Sequence, residues 1–382
     1  MSFLTNRRLG PNFVIILFIN YFACAQITKD RDTISHQIFK DGNEYFHVNI
    51  PSIPLNYYVY KFKMSEKNKL NAVFANNTIP DFKRLTVPKV ANNQHPNKTI
   101  AAINGDFFSY KNGELEGFQV SDGIVTYGHI DKVKYGINID FKNHIQLDSV
   151  YFTGSLKTKK EIYPIKGVNT LKYKDSTNSI ILFNSFVNID SVIHNHHSFV
   201  LLEKNDETFH FVKEIVKLPK ALKKNHYLLA INTPTTRAIV TQLKKEQAFT
   251  INTILKRKKD DKPLQLSTHI SGGIPLVYNN AKITSNSEIS NSYRGKKHPR
   301  TAVGVNKKEN IAVWIVADGR SDSSSGLNYN DLAELFIENN CENAINLDGG
   351  GSSVLWLNGK IKNIPSDKKG TRPCLNYLLL SH

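Results

Sequence analysis

The sequence predicts a β-rich α+β (mixed α/β) fold, in which a twisted mixed sheet carries flanking helices and a C-terminal strand–helix–strand unit. Short runs of β-branched and aromatic residues recur along the chain, for example at residues 57–62, 99–103 and 179–183, and are bounded by Asn, Gly, Asp and Pro. Near the C-terminus, a helical pattern lies between two such runs. The 382 residues, 40% hydrophobic and 22% charged, suffice for one large domain or two smaller ones.

The chain begins with the three parts of a secretory signal peptide. Arg7 and Arg8 precede a short apolar run at residues 13–18, and Ala23-Cys24-Ala25 has the small-residue pattern of a cleavage site. We therefore expect residues 1–25 to be removed near Ala25. The mature chain would then be exported to the periplasm or the extracellular space.

Two forms of membrane attachment are disfavoured by the sequence. Acylation at Cys24, as in a lipoprotein, would place the bulky Tyr21 and Phe22 where such signals have small or aliphatic side chains. No segment of the mature chain has a run of about 18 apolar residues, so we expect no transmembrane segment. Residues 26–44 are predicted to be a polar N-terminal segment, and residues 45–382 to be the folded domain.

The chain carries a strong positive charge. The formal net charge is +17, and it is +15 without the predicted signal peptide, which contains two arginines and no acidic residue. A basic surface attracts anionic partners such as nucleic acid or a phosphorylated glycan, but a lysine-rich solvated surface is an equally ordinary explanation. Because the chain has no zinc-finger spacing and no RNA-recognition signature, no nucleic-acid partner is predicted.

The middle of the chain, residues 130–265, has strand patterning but no concentrated polar motif. We interpret it as a variable part of the domain that shapes access to the site. The histidine cluster at residues 194–197 lacks partner carboxylates, so a surface loop is favoured over a metal site. Export would permit a disulfide between Cys341 and Cys374, although two buried thiols are slightly favoured.

The C-terminal part predicts individual elements most clearly. Residues 311–317 are continuously apolar, as expected for a strand buried on both faces. Asn328 is placed to cap a helix at residues 329–339. The apolar face of this helix follows the i, i+3, i+4 spacing of Leu332, Leu335 and Phe336. Strands are predicted next at residues 343–347, 354–357 and 360–362, the last two joined by an Asn358-Gly359 hairpin turn.

Two aspartates directly follow strands of this unit. Because a helix joins them, the strands at residues 311–317 and 343–347 should run parallel through a right-handed crossover. Asp318 and Asp348 would then lie at the same edge of the sheet, where ligands bind in open α/β folds. One Asp-Gly pair would be an ordinary turn. Two at one edge favour a site in which Asp318, Arg320 and Asp348 meet.

A glycine-rich loop follows the second aspartate. Gly349, Gly350 and Gly351 allow the backbone to approach a ligand closely. Their N–H groups, with the hydroxyls of Ser352 and Ser353, could form an anion-binding nest, whereas a tight turn between strands is the alternative. The loop is neither a Walker A motif nor a nucleophile elbow, because the residues that define those motifs are absent.

Further candidates lie elsewhere in the chain. Asn104 and Asp106 follow the strand at residues 99–103. Asn104 could bind sugar hydroxyls and Asp106 could act as an acid, a base or a ligand, whereas a buried turn beside two core phenylalanines is about as well supported. A guanidinium fork suits phosphate oxygens, so arginines are also candidates. The remaining candidates are Gly105, the flexible pair Gly272 and Gly273, and the arginines Arg300, Arg320 and Arg372.

Taken together, these segments resemble the phosphodiester glycosidase domain family. The resemblance spans residue 45 to the C-terminus, is densest after residue 270 and is faint between residues 130 and 265. In the family's first motif, which commonly reads Asn-Gly-Gly-Phe-Phe, Asp106 occupies the second glycine position. The matching stretches, in the family's order, are AINGDFF at 102–108, SGGIPL at 271–276, PRTAVG at 299–304, VADGR at 316–320, NLDGGGSS at 346–353 and RP at 372–373.

The resemblance implies hydrolysis of a sugar C1–O–phosphate bond in an anionic phosphorylated carbohydrate. Phosphate is a good leaving group, so the reaction needs charge neutralisation and a carboxylate that stabilises the oxocarbenium-like centre or activates water. The expected catalytic residues are Asp348, Asp318, Arg320 and Asp106. The expected substrate-binding residues are Asn104, Gly105, Gly272, Gly273, Arg300, Thr301, Gly349, Gly350, Gly351, Ser352, Ser353 and Arg372.

Two other functions stay open on the sequence. A non-catalytic phosphoglycan-binding protein would use the same cleft without turnover. A metal-dependent phosphodiesterase would cut the P–O bond, with the paired aspartates holding a divalent ion. The glycosidase hypothesis requires no cofactor, although a divalent cation is possible, and neither a metal site nor an oligomeric state is predicted.

Overall fold

The structure, a computed structural model, describes residues 32–81, 83–93, 99–192, 197–284 and 291–382. The predicted signal peptide, with Cys24 and the Ala25 cleavage site, lies outside the described residues, as do residues 26–31. Three of the four residues in the histidine cluster, at 194–196, also lie outside them. Among the described residues, no helix is both long and apolar enough to cross a membrane.

The described chain consists mainly of strands. The strands are β1 (Asp32–Ile38), β2 (Glu44–Ile50), β3 (Leu55–Lys63), β4 (Lys69–Phe74), β5 (Thr99–Asn104), β6 (Gln119–Ser121), β7 (Ile124–His129), β8 (Val133–Asp140), β9 (Ile145–Lys157), β10 (Ile162–Pro164), β11 (Gly167–Val168), β12 (Ser179–Phe183), β13 (Ser198–Asn205), β14 (Thr208–Ile215), β15 (His226–Asn232), β16 (Thr250–Arg257), β17 (Leu266–Ser271), β18 (Pro275–Tyr278), β19 (Ala281–Lys282), β20 (Arg300–Asn306), β21 (Ile311–Ala317), β22 (Asn343–Asn346), β23 (Leu355–Leu357), β24 (Lys360–Ile361) and β25 (Asn376–Ser381). The helices are α1 (Val87–Asn93), α2 (Thr236–Lys245), α3 (Asn291–Arg294) and α4 (Tyr329–Glu338), with 3-10 turns at Ile189–Ser191 and Gly350–Ser352.

The strands form three sheets instead of the one mixed sheet that was predicted. The eight-stranded sheet has the order β1-β2-β3-β21-β20-β22-β18-β19, and the five-stranded sheet has the order β24-β23-β5-β25-β4. The twelve-stranded sheet contains most of residues 130–265. Strand accounts for 48% of the structure and helix for 11%, so the β-rich prediction is confirmed.

A further strand, β20, lies in space between the two strands of the strand–helix–strand unit and was not predicted from the sequence. β20 pairs antiparallel with β21 on one side and with β22 on the other. The strands β21 and β22 therefore run parallel to each other, as predicted, but they are not adjacent. Pairing places Arg300 opposite Ala317 and Ala302 opposite Asn346. The carboxyl ends of β21 and β22 thus lie at one edge of the sheet, with the start of β20 between them.

Helix α4 has the predicted cap and apolar face. The Asp331 N–H donates to the Asn328 side-chain oxygen at 2.9 Å, which satisfies one of the free N–H groups of the first turn. Leu332, Leu335 and Phe336 are buried in the same core as residues of β21 and β18. The helix therefore covers one face of the eight-stranded sheet.

The other face of the eight-stranded sheet packs against the five-stranded sheet. The Trp314 side chain is fully buried between the sheets, with ring centroids 6.0 Å from Tyr60 and 5.0 Å from Phe62. Ile103 of β5 and Leu378 of β25 belong to the same core. This packing brings the carboxyl end of β5 towards the edge where β21 and β22 end.

The C-terminal hairpin and the cysteines also test the sequence predictions. Asn358 and Gly359 both have positive φ, at 48° and 85°, and join β23 to β24 as predicted. Cys341 and Cys374 are both free and buried. The two cysteines belong to different hydrophobic cores. The prediction of two buried thiols is therefore confirmed, and the alternative of a disulfide between them is wrong.

The packing of α4 on the sheet predicts a large loss of stability on truncation. Phe336→Ala removes a fully buried ring, so the free energy of unfolding should fall by about 3–5 kcal/mol in chemical denaturation. Phe141→Ala is the matched control, because the Phe141 side chain is 67% exposed and its loss should cost less than about 1 kcal/mol. Equal losses in the two variants would contradict this account of the core.

Candidate active site

The candidate site lies at the sheet edge where β21 and β22 end. Asp318 directly follows β21, and Asp348 follows β22 by one intervening residue. Arg300, the first residue of β20, lies between these two strand ends. The edge predicted from the two Asp-Gly pairs is therefore present, although β20 is what brings its sides together.

The Asp318 carboxyl group is an internal anchor. It is 3% exposed, and both of its oxygens accept hydrogen bonds, from the Tyr58 hydroxyl at 3.0 Å and from the Ile364 N–H at 2.8 Å. Burial raises its pKa to about 6, and these hydrogen bonds partly offset that effect. Asp318 thus ties the end of β21 to β3 and to the segment after β24, and its oxygens do not face the open edge.

Arg320 presents a cation at this edge. Its backbone has a φ of 65°, in the left-handed region that non-glycine residues rarely occupy. The residue is exposed, and no hydrogen bond or ion pair joins its guanidinium to another described residue. Its Nη2 lies so close to Gly350 that a Cβ there would be 2.9 Å away. The Arg320 guanidinium therefore packs directly against the glycine-rich loop.

Asp348 is the more accessible of the two aspartates. It is half-buried, and its Oδ1 accepts the Gly349 N–H at 2.9 Å. Burial raises the pKa of Asp348. The nearby Ser352 hydroxyl, although it is outside hydrogen-bond geometry, and the positive charge of Arg372 offset part of that rise. The carboxyl group therefore combines access to solvent with a raised pKa, as many catalytic carboxylates do.

The glycine-rich loop is a tight turn more than an anion-binding nest. Gly350 has a φ of 61°, and residues 350–352 form a 3-10 turn. Four backbone N–H groups of the loop already donate to protein oxygens, namely those of Gly349, Gly350, Ser352 and Ser353. These four N–H groups are engaged within the protein, which favours the tight turn, and anion binding by the loop stays a prediction. The buried Ser352 and Ser353 hydroxyls have no described hydrogen-bond partner.

Arg372 is already paired with an acid. Its guanidinium forms a two-pronged ion pair with Asp367, with nitrogen–oxygen distances of 2.7 and 2.9 Å. It packs against Gly351, where a Cβ would overlap both of these side chains. Arg372 therefore shapes the loop and contributes less free positive charge than Arg320.

The Arg300 side chain is buried beneath the edge and bonds to backbone carbonyl groups. Its Nε and Nη2 donate to the carbonyl oxygens of Leu327 and Lys296 at 3.0 and 3.1 Å. The guanidinium carbon lies 4.0 Å from the centroid of the Tyr329 ring, and the residue is 3% exposed. The expectation that Arg300 contacts phosphate is therefore not supported by this geometry.

Asn104 connects three elements of the site. Its Nδ2 donates to the Asp348 carbonyl at 2.7 Å, and its Oδ1 accepts from the Thr301 hydroxyl at 2.7 Å and from the Val354 N–H at 3.2 Å. Asn104 and Thr301 are both fully buried. Asn104 and Thr301 therefore lie together beneath the loop and hold it in position, and their predicted substrate contacts stay predictions.

Asp106 is also buried, at 1% exposure. Its oxygens accept the N–H groups of Phe107 and Gly117, each at 2.8 Å. Burial raises its pKa to about 7. The neighbouring Gly105 packs against Asn376, with no room for a Cβ. The predicted catalytic role of Asp106 is not supported, because its carboxyl group closes the loop at residues 107–117.

Gly272 and Gly273 lie between β17 and β18. Their N–H groups donate to the carbonyl oxygens of Tyr135 and Asn346 at 3.0 and 2.8 Å. A Cβ at Gly273 would lie 2.9 Å from the Phe107 ring. These glycines allow close packing beside β22, and the structure does not place them in contact with the open edge.

Two further polar residues near the edge, His298 and Glu116, were not among those predicted from the sequence. Burial and the positive charges of Arg300 and Arg320 lower the pKa of His298. Glu116 lies on the loop closed by Asp106, and its negative charge raises the pKa of Asp348. The Asn112-Gly113 pair between apolar segments was the available signal for a chain reversal that returns Glu116 to this edge.

Neither a metal site nor a cavity competes with this edge in the part of the chain that the structure describes. No group of three or more His, Cys, Asp and Glu side chains converges there as a metal site requires. A cavity of about 340 Å³ lies at the opposite end of β20 and β22, beside Lys307 and Asn343. None of the predicted site residues lines it.

The chain is similar to known proteins both in sequence and in fold. The sequence model of the family described as phosphodiester glycosidase matches residues 203–381. The uncharacterised prophage-derived protein YomE of Bacillus subtilis is 46% identical over 71 residues. Human N-acetylglucosamine-1-phosphodiester alpha-N-acetylglucosaminidase is 41% identical over 68 residues. These matches cover 19% and 18% of this chain but only 11% and 13% of the two relatives.

Two solved structures share the fold over most of the chain. A hypothetical protein from Synechocystis has a TM-score of 0.66 at 15% identity and covers 92% of this chain and 64% of its own. A putative exported protein from Burkholderia pseudomallei has a TM-score of 0.64 at 16% identity and covers 86% and 74%. The matched part of the chain, residues 203–381, includes β20, β21 and β22 with both Asp-Gly turns and belongs to the phosphodiester glycosidase family.

Proposed function

We propose that the protein is an exported hydrolase that cleaves the glycosidic C1–O bond of a sugar-1-phosphodiester. The observation that carries this proposal is the unpaired Arg320 guanidinium on Gly350, at the same sheet edge as the half-buried Asp348 carboxyl group. A cation and a carboxylate at one open edge suit a substrate that joins a phosphate to an anomeric carbon. Membership of the family supports the same reaction class.

The chemistry follows the charges that develop during cleavage. When the C1–O bond breaks, the phosphate oxygen gains negative charge and the sugar ring gains positive charge. Arg320 receives the phosphate, because its donors are not occupied by described residues. Fixed charges of this kind act most strongly in the transition state, where the new charge appears.

Asp348 is the better candidate for the catalytic carboxylate. Asp348 as a residue is half-buried, whereas Asp318 is almost fully buried and both of its carboxyl oxygens accept internal hydrogen bonds. Asp348 would stabilise the positive charge at C1. Asp318 would act as a positioning residue, since it holds the turn that carries Arg320 two residues later.

The substrate is proposed to be an anionic phosphorylated carbohydrate, in a polysaccharide or a glycoconjugate. The net charge of +17 favours negatively charged partners. Export is supported by the signal-peptide pattern and by the similar fold of a Burkholderia pseudomallei protein that is named as exported.

Arg320→Ala should abolish most of the turnover. On a panel of sugar-1-phosphodiesters, the wild type should release reducing sugar, and kcat/KM of R320A should fall by about 10²–10³-fold because the leaving phosphate loses its cation. Arg237→Ala, on the exposed surface of α2, is the matched control and should keep normal activity.

Product analysis by mass spectrometry in oxygen-18 water separates the alternatives. The label should enter the sugar. Label in the phosphate would indicate a phosphodiesterase that cuts the P–O bond, and binding without turnover would indicate a carbohydrate-binding protein. Normal activity of R320A would also contradict the assignment of Arg320.

The pH profile should report on Asp348. The reaction requires the carboxylate form, and burial raises the pKa of Asp348. The rate should therefore fall as pH decreases through a value above the ordinary carboxylate pKa of about 4. Asp348→Asn should remove most activity, while the exposed control Asp122→Asn should keep both the rate and the profile. An acid limb near pH 4, or an active D348N, would count against this role.

Asp106 should affect stability in a pH-dependent way. Its folded pKa of about 7 lies above its unfolded value, so the stability it contributes is complete below about pH 4 and is lost as pH rises through about 7. The free energy of unfolding of the wild type minus that of Asp106→Asn should therefore decrease over this range in urea denaturation. The exposed control Asp175→Asn should show no such trend, and a constant difference for D106N would refute the assignment.

A further inference from the structure

The loop between β5 and β6 holds a second carboxylate in a fixed place near Asp348. The Glu116 N–H donates to the Phe107 carbonyl at 2.9 Å, and the Ser109 N–H donates to the Glu114 carbonyl at 2.9 Å. Asp106 closes the loop by accepting the Gly117 N–H at 2.8 Å. The backbone at Glu116 is therefore bonded on both sides and is not a free loop tip.

The base of this loop is bonded directly to the residue proposed as catalytic. The Asp348 N–H donates to the Gly105 carbonyl at 3.2 Å, and the Asn104 side chain donates to the Asp348 carbonyl at 2.7 Å. The end of β5 and the end of β22 thus form one hydrogen-bonded unit. Any change in the position of the loop would be transmitted to Asp348 through these bonds.

Backbone hydrogen bonds place Glu116 near Asp348, because the Glu116 N–H donates to Phe107, two residues after the Gly105 carbonyl that accepts the Asp348 N–H. Burial is the largest cause of the raised pKa of Asp348 and of Asp106, and the negative charge of Glu116 raises both values further. Glu116 itself is exposed, and no described residue forms a hydrogen bond or ion pair with its carboxyl group. Lys132 donates to the Glu116 carbonyl oxygen at 2.9 Å. Burial lowers the pKa of Lys132, and the negative charge of Glu116 partly offsets that effect.

The neighbouring Glu114 has a different role. It is 5% exposed, and its Oε1 accepts the Thr170 hydroxyl and the Leu171 N–H, each at 2.8 Å. Glu114 therefore anchors the loop to the twelve-stranded sheet. Of the two glutamates on this loop, Glu116 is exposed to solvent and Glu114 is buried.

We propose that Glu116 is a further catalytic residue, the general base that activates water for attack on C1. This inference rests on the proposed function. Water transfers a proton to the Glu116 carboxylate as its oxygen bonds to C1. The C1–O bond breaks, and its electron pair leaves with the phosphate oxygen, whose charge Arg320 holds. Asp348 stabilises the positive charge on the ring, so two carboxylates share the work as in other glycosidases.

The leaving group favours a base over an acid at this position. A phosphate oxygen departs as an anion held by Arg320 and needs little protonation. Attack by water, in contrast, is assisted by removal of its proton. The solvent-exposed Glu116 carboxylate is suited to that task, because water reaches it directly.

The test is Glu116→Gln in the full-length protein, with a sugar-1-phosphodiester that the wild type cleaves. We expect kcat to fall by about 10²-fold or more, with a small change in KM. Sodium azide, an anionic nucleophile that needs no base, should restore turnover and yield the glycosyl azide. Rescue would also show that the variant is folded. Glu309→Gln, in the exposed turn at the opposite end of β20, is the matched control and should be unaffected.

The possible results distinguish failure of the role of Glu116 from failure of the proposed function. An active wild type with an equally active E116Q would overturn the role of Glu116 and leave the proposed function standing. A loss of activity that azide does not rescue would overturn the role as a base. A wild type that releases no sugar from any substrate in the panel would overturn the proposed function, and the role of Glu116 with it.

Discussion

The antiparallel pairing of β20 with both β21 and β22 is the constraint on which the site depends. Because backbone hydrogen bonds fix the register on both sides, the ends of β21 and β22 are held at one edge, on either side of Arg300. The two Asp-Gly turns come within reach of each other for this reason. The same pairing buries β20 completely up to Val305, so the arrangement is supported by the cores on both faces of the sheet.

Two arginine side chains, Arg320 and Arg372, pack closely against glycines of the loop, and this packing sets the position of their positive charges. Arg320 rests on Gly350 and Arg372 rests on Gly351, and in each case a Cβ would collide with the guanidinium. The two arginines differ in their partners, since Asp367 pairs with Arg372 whereas no described residue pairs with Arg320. Among the described residues, the guanidinium without a partner therefore lies on the Gly350 side of the loop, and in the proposed function this side receives the phosphate.

The acidic residues of the site differ in burial and in the hydrogen bonds that they accept. Asp318 and Asp106 are buried, and each accepts two hydrogen bonds from the protein, which compensates for part of the cost of burial. Asp348 and Glu116 keep access to solvent. The buried pair holds the turn and the loop in place, and the accessible pair is left for catalysis in the proposed mechanism.

Local features of the sequence determined the elements that carry the site. The apolar run of β21, the Asn328 cap of α4 and the Asn358-Gly359 turn were predictable, because each depends on neighbouring residues alone. The tertiary structure decided what depends on pairing between distant segments: β20 lies between β21 and β22, Asp106 is buried, and Arg320 has no hydrogen-bond or ion-pair partner among the described residues. Strand register and side-chain burial are set by contacts between segments that are distant in the sequence, so they could not be predicted from the spacing of residues along the chain.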